Sequence, residues 1–144
     1  MAGFLLDTNV LSEFARAQAA DERVDRWLKA TPEETLFASV LTFAEIRRGI
    51  ELLPAGKRRD QLTEWQGDLE TSFAGRLLLV TKDICDRWAI LSAQAQRRGA
   101  PLAVVDGLIA ATALVHDLTV VTRNTKDFAG LGVALFNPWG PYGE

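Results

Sequence analysis

Four acidic or amide side chains interrupt apolar sequence along the chain, and these are the residues that could do chemistry. Asp7 ends the run Phe4-Leu5-Leu6, Glu45 lies within Phe43-Ala44-Glu45-Ile46, Asp106 follows Val104-Val105, and Asn124 follows Val120-Val121-Thr122-Arg123. An ionised carboxylate at the margin of a core is costly unless a partner or a cation compensates it. Several such oxygen donors brought together form a site for a hard divalent ion, and such a site implies phosphate chemistry. Asp127, just beyond Asn124, could add charge there or cap a short helix through Phe128.

Each of these residues also has a structural explanation. Asp7 suits a helix N-cap after a strand, with Thr8 and Asn9 beside it able to orient its carboxylate or a metal-bound water. Glu45 could simply pair with Arg48 one turn on, worth about 0.3–0.5 kcal/mol at a surface. Asn124 and Asp127 both suit an Asx turn. Asp106 carries the sharpest signal. The helix it is expected to open, residues 106–115, is apolar nearly all round and so should be buried. Capping alone would not require Val104-Val105 before it to be apolar as well.

Other chemistries find little support. One cysteine, Cys85, and one histidine, His116, exclude an internal disulfide, a cysteine-based zinc site and a credible triad. Both are read as structural, Cys85 as buried and His116 as a surface residue near a helix end. There is no Gly-x-Ser-x-Gly and no phosphate-binding P-loop. The four tryptophans, Trp27, Trp65, Trp88 and Trp139, are expected to pack the core and its edges. A net charge of −3 gives no global drive towards nucleic acid. The basic residues cluster locally, at Arg47-Arg48, Lys57-Arg58-Arg59, Arg97-Arg98 and Arg123 with Lys126. The last pair flanks the proposed site and could meet a phosphate backbone there.

The elements that must position these groups follow from periodicity. Short apolar runs predict strands at residues 3–6, 36–40, 77–80, 119–122 and 133–136, with 77–80 the clearest. Helices are predicted over residues 9–17, 21–30, about 42–53, 56–73, 82–98 and 106–115. Leu62, Trp65 and Leu69 mark one stripe, and Ile84, Trp88, Leu91 and Ala95 another. Alternating strands and helices argue for an α/β fold with a parallel sheet covered on both faces. Sites in such sheets form beyond the carboxyl ends of the strands, where Asp7 and Asn124 fall. With 144 residues and 48% hydrophobic content, the chain reads as one domain, 1–144. No stretch approaches the roughly 20 apolar residues that span a bilayer, and the start is too quickly acidic for a secretory signal. A reducing cytoplasm is the simplest setting.

Taken together and in this order, the segments resemble the PIN-domain nucleases, and within them the VapC/FitB-type toxins of bacterial toxin–antitoxin pairs. The residues that carry the resemblance are Leu5-Leu6-Asp7-Thr8-Asn9, Glu45 in its helix and Asp106-Gly107-Leu108-Ile109-Ala110-Ala111-Thr112-Ala113. To these add Thr122-Arg123-Asn124 with Asp127-Phe128, and the closing Phe136-Asn137-Pro138-Trp139. The resemblance implies a three-layer α/β/α Rossmann-like PIN domain with a central, mainly parallel sheet. It implies Asp7, Glu45 and Asp106 as ligands of Mg2+, with Mn2+ able to substitute, and Asn124 among the catalytic residues. Asn124 stands where many members carry a fourth Asp, so one metal or two, and a part for Asp127, both stay open.

The implied activity is hydrolysis of RNA phosphodiester bonds by a metal-activated water. The implied partners are RNA and a cognate VapB/FitA-like antitoxin whose tail covers the acidic groove and which alone contacts DNA. A homodimer, served by exposed apolar side chains on the early helices, completes the implied assembly, with no membrane partner. Two other readings compete. One is a PIN-fold binding module with impaired catalysis, which Asn124 favours. The other is a Mg2+-dependent phosphotransfer or phosphatase domain. That would want a second acid close after Asp7, where this chain has Thr8-Asn9, and it leaves Glu45 without a place.

Overall fold

The computed structural model describes residues 3–140. Five parallel strands form one sheet: β1 (Gly3–Leu6), β2 (Leu36–Ser39), β3 (Leu77–Leu78), β4 (Leu118–Val121) and β5 (Leu135–Phe136). Their spatial order is β3-β2-β1-β4-β5. Between them run α1 (Thr8–Leu11), α2 (Glu22–Ala30), α3 (Val40–Glu51), α4 (Lys57–Ser72), α5 (Lys82–Arg97) and α6 (Val104–His116).

Strand side chains alternate between faces, and adjacent leucines therefore enter different cores. Leu6 and Val121 pack with Val10, Leu11, Val24, Phe43, Ile50 and Leu69, so α1 to α4 cover one face. Leu5 and Val120 pack with Ile84, Leu91, Ile109 and Ala110, so α5 and α6 cover the other. Both faces of β1 are buried, which is why it reads as unbroken apolar sequence. The result is the three-layer α/β/α arrangement expected from the sequence. Among the described residues no helix is long and apolar enough to cross a membrane.

Four local expectations need correction. The helix expected over residues 9–17 is α-helical only in α1 and then tightens into a 3-10 helix, Ser12–Ala19. The tighter winding accompanies an inward-turned Glu13, which accepts the Asp21 N–H at 3.2 Å. Residues 77–80 are not the clearest strand: only Leu77 and Leu78 pair, with Ala38 and Ser39, and Leu79 is 65% exposed. An edge strand has one neighbour, so an aliphatic run there can end early. The last strand is likewise limited to two residues, paired with Val120 and Val121. Finally, α6 starts at Val104 with Ala103 as its N-cap, so Asp106 lies inside the first turn and does not cap the helix.

The strand order locates the site. From β1 the chain moves outward through β2 to β3, then crosses back to place β4 on the other side of β1. Neighbouring strands whose connections depart in opposite directions leave a crevice at their carboxyl ends. Asp7 follows β1 immediately, and residues 122–124 follow β4 immediately.

Candidate acidic site at the strand ends

Asp7 is fixed from three sides. Its N–H donates to the Val121 carbonyl at 3.0 Å, extending the β1–β4 pairing by one residue. Its Oδ1 accepts the Thr8 N–H at 2.9 Å as the N-cap of α1. Its Oδ2 accepts the Thr122 hydroxyl at 2.8 Å. The capping explanation of Asp7 is thus correct as far as it goes, but it uses one lone pair of one oxygen. The carboxylate is only 8% exposed and retains further acceptor capacity towards the crevice.

Thr122, fully buried, organises the rest. A hydroxyl has one donor and two acceptor positions, and all three are used. The proton goes to Asp7, while Asn9 Nδ2 (3.3 Å) and the Asn124 N–H (3.0 Å) donate to the oxygen. Asn9 Oδ1 in turn accepts the Arg123 N–H at 3.2 Å. The turn after β1 and the turn after β4 are therefore laced into one unit. Asn124 joins that unit through its backbone; its side chain stands exposed at the start of a 3-10 turn, Thr125–Phe128, that also carries Asp127.

Glu45 is exposed on α3, and the Thr8 hydroxyl donates to its Oε1 at 2.6 Å. The expected pairing with Arg48 does not form. The contact ties α3 to the residue beside Asp7. Nothing in the sequence signals it, because the two residues are 37 positions apart and both are ordinary surface types.

Asp106 approaches the same crevice from the first turn of α6. Its carboxyl is pushed above the usual carboxylate range, first by burial and then by the negative charges of Asp7, Asp127 and Glu45. Among the described residues no side chain donates a hydrogen bond to it. The crevice thus gathers Asp7, Glu45, Asp106 and Asp127, with Asn124 at its rim. Even so, no three acids among the described residues stand as a ready group that could hold a metal ion. Carboxylates without a counter-charge repel, and here Asp7 and Glu45 each lean on a threonine hydroxyl. The donor set nonetheless fits a hard cation: all ligand atoms would be oxygens. The unpartnered, half-buried Asp106 is also the group that a cation would relieve most.

Cys85 is exposed on α5 and not buried, while His116 ends α6 at the surface as expected. Trp27 stacks edge-on against Phe4, with ring centroids 5.1 Å apart, and Trp139 is 7% exposed. Trp88 lies against Gly107, where an added Cβ would stand 2.8 Å from the indole Cδ1. Arg123 and Lys126 are both exposed, and the Arg123 guanidinium lies 5.3 Å over the Trp139 ring. A groove of about 700 Å3 leads away from Thr8 and Glu45 past Ile46 and Trp65. A second cavity of about 660 Å3, lined by Phe14, Leu28, Lys29 and Leu36, lies by the amino end of β2, away from the acids.

Known proteins similar to this chain agree with its architecture. The sequence pattern of the family described as PIN domain matches residues 4–133. A VapC ribonuclease of Sinorhizobium fredii is 41% identical over 138 residues, covering 95% of this chain and 98% of the relative. The toxin FitB of Neisseria gonorrhoeae is 43% identical over 136 residues, covering 94% and 97%. A solved structure of FitAB bound to a DNA fragment superposes with a TM-score of 0.88 at 41% identity, covering 96% of each chain.

Proposed function

The chain belongs to the PIN-domain family, and on that premise we infer that it is a metal-dependent endoribonuclease acting as the toxin of a toxin–antitoxin pair. The observation that carries this reading is the convergence of Asp7, Glu45 and Asp127 on Asp106, at the switch point of a parallel sheet. A crevice so charged repels an RNA phosphate unless a cation offsets it. Asp7, Glu45 and Asp106 would hold Mg2+ or Mn2+, and Asn124 would face the substrate at the rim. The bound ion would supply positive charge to acidify a water and to neutralise the phosphoryl oxygens.

The protein's own groups have separable tasks. Thr122 holds Asp7 by its Oδ2 and leaves the other lone pairs free. Thr8 holds Glu45 at the edge of the crevice, where it can accept the proton of the attacking water. The water oxygen forms a bond to phosphorus as the ester P–O bond opposite breaks, and the leaving oxygen takes up a proton. Burial and the neighbouring negative charges favour the protonated form of Asp106 when no cation is present.

Support for the toxin role comes from the relatives, a ribonuclease and a toxin by name, matched over nearly their full lengths. The FitAB–DNA structure supports a cognate antitoxin and a DNA-bound complex; in this reading the antitoxin's tail would cover the acidic groove and the antitoxin alone would contact DNA. A homodimer working in the cytoplasm completes the reading. One observation favours a binding module with impaired catalysis instead: Asn124 is uncharged, and its side chain stands apart from the network.

The deciding experiment is cleavage of a mixed RNA pool by partner-free protein in Mg2+, Mn2+ or EDTA, beside Asp7→Ala and Asp106→Ala. Metal-dependent cleavage that vanishes in both variants is expected. Folded protein that cuts nothing, even an RNA pool from its own host, refutes the ribonuclease reading and leaves the binding module.

A further inference from the structure

Arginine beside a cluster of acids ordinarily swings in and pairs with one of them. Arg123 does not. It directly follows Thr122, the residue that anchors Asp7, yet among the described residues it makes no ion pair with any carboxylate. Two contacts hold it apart. Its backbone N–H is fixed by Asn9 Oδ1 at 3.2 Å, and its guanidinium lies 5.3 Å over the Trp139 ring. The ring is itself held firmly. It is 7% exposed and packed in the core beneath α1 to α4, and the backbone N–H of Trp139 donates to Asn137 Oδ1 at 2.9 Å.

A guanidinium held over an aromatic face still has N–H donors free for another partner. Those donors form a fork that matches two phosphate oxygens, which an ammonium cannot do. Arg123 follows the carboxyl end of β4, and Trp139 comes after the carboxyl end of β5, the strand paired with it. The stacked pair therefore sits on the same rim of the sheet as Asp7, one strand away from it. There a fixed positive charge stands next to a negative crevice without neutralising it.

The geometry points to Arg123 as the contact for an RNA backbone phosphate neighbouring the one to be cut, with Trp139 as its positioning residue. The class of ligand rests on the ribonuclease reading; the anion site itself rests on the stacked, unpaired guanidinium. An RNA strand needs both features in different places, acids plus cation at the scissile phosphate and a bare cation at the next. A guanidinium free to fold onto Asp7 or Asp127 would weaken both, and the Trp139 ring prevents that.

The test is binding of a labelled single-stranded RNA by fluorescence anisotropy over a range of salt, with Ca2+ present to offset the acids. Arg123→Ala, on the surface, should fold normally, raise Kd about tenfold and flatten the slope of log Kd against log salt by about 0.7, one phosphate contact. Arg123→Lys should keep the slope and lose several-fold in affinity. Trp139→Leu should raise Kd at an unchanged slope, and Trp139→Phe should restore most of the loss. Lys29→Ala, by the amino end of β2, is the charge control and should change neither quantity. If Arg123→Ala matches Lys29→Ala, or the wild-type protein binds no RNA, the assignment is overturned. RNA bound through Arg123 but never cut keeps this site and refutes the ribonuclease. RNA cut by Arg123→Ala with the wild-type KM does the reverse.

Discussion

Thr122→Val removes one oxygen and changes almost nothing else in shape, so it isolates the hydroxyl that holds Asp7. In the native protein that hydroxyl is fully buried, donates to Asp7 Oδ2 at 2.8 Å, and accepts from Asn9 Nδ2 and the Asn124 N–H. A hydrogen bond to a charged group contributes about 1.5–3 kcal/mol, and a neutral one about 0.5–1.5. The two neutral donors lie towards solvent, where water replaces much of their loss, and the new buried methyl returns about 0.8 kcal/mol. The net expectation is a destabilisation of about 2 kcal/mol by urea unfolding, in the absence of metal.

Thr112→Val supplies the control. Thr112 is equally buried, but its hydroxyl donates only to the Leu108 carbonyl of its own helix, at 2.7 Å, so its loss should stay within about 1 kcal/mol. The functional consequence separates the two further. Loss of a group that orients a metal ligand typically lowers metal affinity about 10–100-fold, and Mn2+ titration calorimetry reads this directly. Should Thr122→Val lose no more stability than Thr112→Val and bind Mn2+ as tightly as the parent, Thr122 does not orient Asp7 and the network has been misread.

Further outcomes follow from other residues. The Asp106 carboxyl titrates above its usual 3.8, first through burial and then through its acidic neighbours. The folded state therefore holds that proton more tightly than the unfolded state, and the contribution of Asp106 to metal-free stability falls as pH rises from 3.8 through the raised value. Asp106→Asn removes that cost, so without metal it should be more stable than the parent at pH 7, by an amount that vanishes near pH 3. Mg2+ should raise the melting temperature of the parent and leave Asp106→Asn unmoved. Gly107→Ala puts a methyl 2.8 Å from Trp88 Cδ1 and 2.9 Å from Leu102 Cδ2. Despite its better helix propensity it should lose about 1–2 kcal/mol in chemical denaturation. Arg76 donates to the carbonyls of Glu33, Leu36 and Ser72, and its guanidinium lies 4.8 Å over the Phe73 ring. Arg76→Lys cannot reproduce that fork and should cost about 2 kcal/mol by the same measurement.

What could be read from the sequence was mostly what one segment determines by itself. Leu5 and Leu6 are apolar because β1 is covered on both faces, and the run announces the strand and the Asp7 that ends it. The burial of α6 was legible for the same reason, in Ile109, Ala110, Ala111 and Ala113. Its starting residue was not, because Ala103 provides a cap position through backbone conformation without any side-chain signal. Residues 77–80 misled because aliphatic content reports a preference for burial, whereas strand length depends on a neighbour that β3 has on one side only. The Thr8–Glu45 contact and the stacking of Arg123 on Trp139 join distant segments and leave no local trace. Thr122 was legible only as part of the Thr122-Arg123-Asn124 stretch after β4, and its three simultaneous hydrogen bonds appear once β1 and β4 lie side by side.

That side-by-side placement also sets a timetable for synthesis. Asp7 and Thr122 are separated by 115 residues, yet their hydrogen bond closes the centre of the crevice. As the chain leaves the ribosome, β1, β2 and β3 with their helices can assemble first, and β1 then waits with one edge unpaired until β4 arrives. Every fragment that stops short of β4 lacks Thr122 and Asn124, and any that stops before α6 also lacks Asp106. The acidic crevice is therefore complete only when the last fifth of the chain has folded onto its first strand.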